Sequence, residues 1–228
     1  MPKLILLRHG QSEWNLRNLF TGWTDVDLTE EGRREASEAG SKIAGAGILP
    51  QYYFTSYLTR AIHTLQIAAD SMGRQWVPVD KDWHLNERHY GALQGLNKAD
   101  TAAKYGEEQV HIWRRSYDVE PPALTADDTR HPRFDPRYAS LQEDELPAAE
   151  SLKTTIGRVR CCWEEKIIPA LRHYGDVLVV AHGNSLRGLV MMLRRLTPEQ
   201  VTGLEIPTGS PWVFELDDSL APVKDYYL

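Results

Sequence analysis

Two short apolar runs, each closing on a histidine and a glycine, constrain this chain more than any other feature. Residues 3–7 read Lys-Leu-Ile-Leu-Leu and lead into Arg8-His9-Gly10. Residues 177–181 read Val-Leu-Val-Val-Ala and lead into His182-Gly183-Asn184. Apolar runs this short and this continuous suit strands covered on both faces, as in a parallel sheet. The segments between them have helical spacing. Thr29 is a good N-cap with Glu30 and Glu31 in the first turn. Apolar residues then recur at Ala36, Ala39 and Ile43, at Ala61, Leu65, Ala68 and Met72, at Ile156, Val159, Trp163 and Ile167, and at Leu186, Leu189, Val190 and Leu193. Strands alternating with such helices predict an α/β fold with a mostly parallel sheet.

The stretch at about 88–149 breaks this rhythm. It carries Pro121, Pro122, Pro132, Pro136 and Pro147, many charges and few apolar runs. It reads as a long insertion with short helices near 97–105 and 107–116, and loops of this length in compact domains usually serve function. The whole chain, 1–228, reads as one domain that includes this insertion.

Bulk properties exclude several classes. Hydrophobic residues make up 42% and charged residues 25%, a globular balance that argues against disorder. The net charge of −6 disfavours a nucleic-acid partner, although a local basic pocket remains compatible with it. No apolar run approaches the roughly 18 residues of a spanning helix. The N-terminus shows no signal-peptide pattern. Cys161 and Cys162 are adjacent, a poor geometry for a disulfide, and suit a reducing cytoplasm.

In an open parallel sheet, ligands bind beyond the carboxyl ends of the strands. If the two His-Gly strands are neighbours, His9 and His182 face each other across one crevice. A neutral imidazole is a nucleophile near pH 7. Arg8 offers a planar fork to a phosphate, and Gly10 and Gly183 allow close backbone approach. Arg60 follows a short strand-to-helix turn and can point into the same crevice. Glu87, inside Leu85-Asn86-Glu87-Arg88-His89-Tyr90-Gly91, is a carboxylate among basic groups and a candidate proton shuttle. Arg114-Arg115 could clamp a second anionic group, although such pairs are often just a solvated helix face. Neither a metal-ligand spacing nor a Walker loop is present. These residues point to phosphoryl chemistry through histidine without a metal. By themselves they do not separate a phosphatase from a mutase.

The stretch Leu7-Arg8-His9-Gly10-Gln11-Ser12-Glu13-Trp14-Asn15 resembles the signature of the histidine phosphatase superfamily. Phe20-Thr21-Gly22-Trp23, residues 85–98, Trp113-Arg114-Arg115-Ser116, Ala181-His182-Gly183-Asn184-Ser185 and Ile206-Pro207-Thr208-Gly209 narrow the resemblance to the cofactor-dependent phosphoglycerate mutases. The resemblance runs from about residue 3 to residue 228. It implies a flavodoxin-like, three-layer α/β/α domain with the insertion over the active site.

The same resemblance implies a phosphorylated nucleophile at His9. Arg8, Arg60 and His182 would line the phosphoryl site, and Glu87 would be general acid and base. Ser12, Asn15, Thr21, Gly22, Gly183 and Asn184 would contact the phosphoryl group or substrate. Arg88, Tyr90, Lys98, Arg114 and Arg115 would hold the glycerate or a second phosphate. It further implies 2,3-bisphosphoglycerate as primer, phosphoglycerate substrates, no metal, no membrane, a cytoplasmic enzyme of glycolysis and gluconeogenesis, and a homodimer or homotetramer.

Two departures stand out. Family members often extend beyond the final tyrosines in a mobile tail that acts as a lid, and this chain stops at Leu228, so more leakage to water is expected. Gln11 stands where Glu is frequent. The competing readings are a bisphosphoglycerate synthase or phosphatase, a broad-specificity histidine phosphatase, a catalytically dead phosphate-sensing module, and a purely structural protein. Ser12, Thr21 and Gly22 follow the mutase pattern rather than that of the synthases. The long insertion argues against a broad phosphatase, and the presence of His9, Glu87 and His182 argues against a dead module.

Overall fold

The computed structural model describes residues 1–228. Its six strands are β1 (Lys3–Arg8), β2 (Tyr52–Thr55), β3 (Val79–Lys81), β4 (Val177–Ala181), β5 (Trp212–Leu216) and β6 (Pro222–Tyr227). They lie in the order β3-β2-β4-β1-β5-β6. The four strands β3, β2, β4 and β1 pair in parallel, while β5 and β6 continue the sheet antiparallel beyond β1. The expected parallel sheet therefore covers four strands, and the antiparallel pair at its edge is an addition that the βαβ pattern did not foreshadow.

The apolar run of β1 is continuous because both faces of the sheet are covered. Leu4 and Leu6 pack with Val177 and Val179 in the larger core, against the layer of α6 (Leu152–Cys162), α7 (Ile168–Tyr174) and α8 (Gly183–Arg194). Ile5 and Leu7 point the other way and pack with Leu178 and Val180 against α2 (Glu30–Gly45) and α3 (Thr59–Ser71). The helices form for local reasons. The Thr29 hydroxyl accepts from the Gly32 amide at the start of α2, and Ser151 caps α6 through the amide of Thr154. Between α6 and α7, Trp163–Ile167 winds as a π turn into Pro169, which has no amide hydrogen to continue the regular ladder.

The remaining helices are α1 (Glu13–Leu16), α4 (Lys98–Tyr105), α5 (Glu107–Arg115) and α9 (Pro198–Thr202). The pair α4 and α5 matches the two short helices expected in the insertion. From about 118 to 149 the insertion holds only short 3₁₀ turns. No helix is long and apolar enough to cross a membrane.

Register places the chemistry. Leu4 pairs with Val177 and Arg8 with Ala181, so β1 and β4 end in step. The His9 amide donates to the Ala181 carbonyl at 3.0 Å, which carries the pairing one residue past the strand. Gly10 then passes close over the first turn of α2. A Cβ on Gly10 would lie 2.1 Å from the Gly32 carbonyl oxygen, so no side chain fits there.

Candidate active site

His9 and His182 leave the adjacent ends of β1 and β4 with ring centroids 5.0 Å apart and planes tilted by 57°. His9 is 3% exposed. Its Nδ1 lies 2.7 Å from the Gly10 carbonyl, an atom that can only accept. The ring proton therefore sits on Nδ1, and Nε2 carries a bare lone pair. Burial, Arg60 and Arg8 hold the His9 pKa well below the usual histidine value, which keeps the ring neutral. His182 is fully buried, with Nε2 2.7 Å from the Ser56 hydroxyl and Nδ1 without a partner in the protein. Burial, Arg60 and His9 push its pKa down as well.

The cations around this pair are held by backbone carbonyls. Arg60, at the start of α3 and 1% exposed, donates to the carbonyls of Gly22 and Thr24 at 2.8 and 3.1 Å. It thereby curls the segment Thr21–Thr24 around the cleft. Burial lowers its pKa to about 10, so it stays charged at neutral pH. The Thr64 hydroxyl, one turn along α3, accepts from the Gly10 amide and donates to the Arg60 carbonyl, which ties the nucleophile loop to this helix. Arg8 donates through Nη1 to the Ile206 carbonyl at 2.9 Å, and its buried Nε has no partner.

Glu87 stands on the opposite wall. Its Oε1 accepts from the amides of Arg88 at 2.8 Å and Asn184 at 3.0 Å. Burial raises its pKa, but the two hydrogen bonds and the charges of Arg8 and Arg60 outweigh that, leaving it below the ordinary carboxylate range. A residue that sequence reasoning missed fixes this wall. Arg158 of α6 donates to the carbonyls of His84, Asn86 and Glu87 at 2.6, 3.0 and 2.8 Å, and grips the Glu150 carboxylate with Nε and Nη2. Trp23 Nε1 donates to the same Glu87 carbonyl at 2.6 Å. In the sequence Arg158 looks like any charged residue on a helix, and only tertiary packing shows its task.

Arg8, His9, Asn15, Thr21, Gly22, Arg60, Glu87, Tyr90 and Lys98 line one cleft of about 80 Å³. Gly183 and Asn184 flank it beside Glu87, and the Asn184 side-chain amide reaches the Tyr90 hydroxyl at 3.4 Å. Arg88 is fully buried with its guanidinium 4.5 Å from the Tyr90 ring. It donates to the carbonyls of Trp113 and Arg114 at the end of α5, while Nε and Nη1 remain unpartnered. Other candidates stand apart. Ser12 turns its hydroxyl into a capping box with Asn15 at the start of α1. Arg114 lines a neighbouring hollow with Lys98, and Arg115 is paired with Glu205. The first part of the insertion walls the cleft. Residues 129–138 instead border a separate hollow beside Trp23, where Arg130 and Arg137 are neutralised by aspartates.

Buried histidines make stability depend on pH. The pKa values of His9, His89, His131 and His182 are all depressed, that of His89 to about 3 by burial and by the neighbouring His131, Arg158 and Arg130. In the unfolded chain each titrates near its ordinary value of about 6.5. Below that, the unfolded state binds protons that the folded state refuses. Stability is therefore full above about pH 6.5 and falls as pH drops, at a limiting slope of about 1.4 kcal/mol per pH unit for each histidine. Thermal melts should show Tm falling steadily between pH 7 and pH 5; a flat Tm over that range would contradict the burial of neutral rings.

A neutral imidazole faced by Arg8, the buried Arg60 and a carboxylate has the chemistry to carry a phosphoryl group on histidine. The chain belongs to the histidine phosphatase superfamily, whose branch 1 profile matches residues 4–130 and 124–227. Within it, the chain is 59% identical over 228 residues to the 2,3-bisphosphoglycerate-dependent phosphoglycerate mutase of Novosphingobium aromaticivorans, covering 100% of this chain and 99% of that protein. The fold is shared more widely. A mycobacterial glucosyl-3-phosphoglycerate phosphatase superposes with a TM-score of 0.74 at 21% identity, covering 100% of this chain and 97% of that one. The α-ribazole phosphatase of Shigella flexneri superposes at 0.71 and 19%, covering 97% and 94%.

Proposed function

We infer that this chain is an isomerase that interconverts 3-phosphoglycerate and 2-phosphoglycerate, primed by 2,3-bisphosphoglycerate and working through a phosphohistidine. The observation that carries this reading is His9 itself. Its bare Nε2 opens into a cleft lined by Arg8, Arg60 and an ionised Glu87. The full-length identity to a mutase supports the same substrate class.

Each role follows from placement. His9 Nε2 accepts a phosphoryl group from the primer. Arg8 and Arg60 hold the phosphoryl oxygens and balance their charge in the transition state, and the free Nδ1 of His182 offers a further contact. As the N–P bond of phosphohistidine breaks and a bond to O2 of 3-phosphoglycerate forms, Glu87 takes the hydroxyl proton. The bisphosphate then turns within the cleft. His9 attacks the other phosphorus, the P–O3 bond breaks, Glu87 returns its proton to O3, and 2-phosphoglycerate departs. Thr21, Gly22, Asn15, Tyr90 and Lys98 line the space where the substrate sits, with Arg88, Gly183 and Asn184 at its edge and Arg114 farther out. No step requires a metal.

The wider reading is one domain over 1–228, acting in glycolysis and gluconeogenesis in the cytoplasm as a homodimer or homotetramer on small phosphoglycerates, without nucleic acid. The deciding experiment is an enolase-coupled assay on 3-phosphoglycerate with EDTA throughout. Turnover that rises with trace 2,3-bisphosphoglycerate supports the mutase. Free phosphate without phosphoenolpyruvate would leave a phosphatase on the same fold.

A further inference from the structure

Arg115, the last residue of α5, already holds an anion. Its Nη2 lies 2.6 Å from Oε1 of Glu205, on the loop between α9 and β5. A second arginine approaches the same carboxylate: Arg187 Nη2 lies 3.8 Å from Oε2. Arg187 is far more buried than its partner. Its side chain is 11% exposed and that of Glu205 67%. Arg187 is also tied to residues that flank the cleft. Nε donates to the Leu204 carbonyl at 2.7 Å, and Nη1 donates to Oδ1 of Asn184 at 3.1 Å, the residue whose amide holds Glu87. Burial and the neighbouring Arg115 both disfavour its charge.

Two guanidinium groups converging on one exposed carboxylate form the geometry that receives a compact oxyanion. Exposed ion pairs hold weakly. A phosphate dianion, or the carboxylate of a phosphoglycerate, can replace Glu205 between the two forks without any movement of the buried arginine. The Glu205 side chain needs only to swing into solvent.

We propose that Glu205 is a resident stand-in for the substrate's second anionic group, and that Arg187 joins Arg115 in binding that group. This rests on the phosphoglycerate reading, because it requires a ligand with an anion remote from the transferring phosphoryl group. Glu205 then tunes affinity by competition: it occupies Arg115 when the cleft is empty and weakens substrate binding.

The sign of one substitution tests this. If Glu205 only anchors α5 to the 204–206 loop, Glu205→Gln loosens the rim and weakens binding. If it competes, the same change tightens binding. The expected result, from calorimetric titration with 2,3-bisphosphoglycerate, is a Kd lower by about two- to fivefold, the range set by an exposed ion pair. The KM for 3-phosphoglycerate should fall in parallel, with kcat little changed. Hydrolysis of p-nitrophenyl phosphate, which has no second anion, should not respond. In an Arg115→Gln, Arg187→Gln background the gain from Glu205→Gln should disappear. A Kd that is unchanged or raised in Glu205→Gln, or a gain that persists without the two arginines, overturns the proposal. Absence of any turnover of 3-phosphoglycerate by the unmodified enzyme, with 2,3-bisphosphoglycerate still bound, would instead overturn the mutase reading alone.

Discussion

His9→Ala abolishes conversion of 3-phosphoglycerate, by about 10⁴-fold or more, the scale on which loss of a covalent nucleophile is felt. The structure offers no replacement. His182 is the nearest imidazole, with its ring centroid 5.0 Å away, but its Nε2 is engaged by the Ser56 hydroxyl. The variant should also fail to take up acid-labile phosphate from 2,3-bisphosphoglycerate, and that second readout separates chemistry from binding. Its substrate site remains, because Arg8, Arg60 and Glu87 are held by backbone groups rather than by the His9 ring. Binding of 2,3-bisphosphoglycerate is therefore expected to persist. Residual turnover within tenfold of the unmodified enzyme would show that the phosphoryl group travels by another route.

Glu87→Gln lowers kcat by about 10²–10⁴-fold, the usual contribution of a positioned acid–base group. The replacement is nearly isosteric. A glutamine carbonyl can still accept from the Arg88 and Asn184 amides that now hold Oε1. What disappears is the ionised oxygen that takes a hydroxyl proton. KM should change little and Tm should not fall, so the loss belongs to the chemical step. Phosphorylation of His9 by 2,3-bisphosphoglycerate should slow as well, because the departing alkoxide loses its acid. A variant that forms phosphohistidine at the normal rate would remove Glu87 from this role.

The sequence disclosed the centre of the molecule and concealed its periphery, for physical reasons. Strands β1 and β4 were legible because strands buried on both faces must be continuously apolar, and their shared His-Gly ending signalled the site. Thr29, α4 and α5 were legible from local capping and spacing. Strands β5 and β6 were not, because an antiparallel edge leaves no crossover helix to announce it. Arg158 and Arg187 escaped notice because buried and solvated arginines on a helix read alike until packing shows which carbonyls they meet. The family resemblance places Ser12 and Arg115 with the substrate; in the structure the Ser12 hydroxyl closes a helix cap and Arg115 meets Glu205, partners that local spacing alone does not reveal.

The seating of both histidines at the ends of β1 and β4 has a consequence for inactivation. β4 is wholly buried, and β1 and β4 are hydrogen-bonded to neighbours on both sides. Amide protons in such strands exchange with solvent only when the whole domain opens, while rim segments open by themselves. The spacing between nucleophile and partner is thus guarded by the global free energy of folding and not by the order of any loop. On heating, the irregular 118–149 segment can fray early, but loss of the His9–His182 geometry should coincide with the cooperative melting of the core.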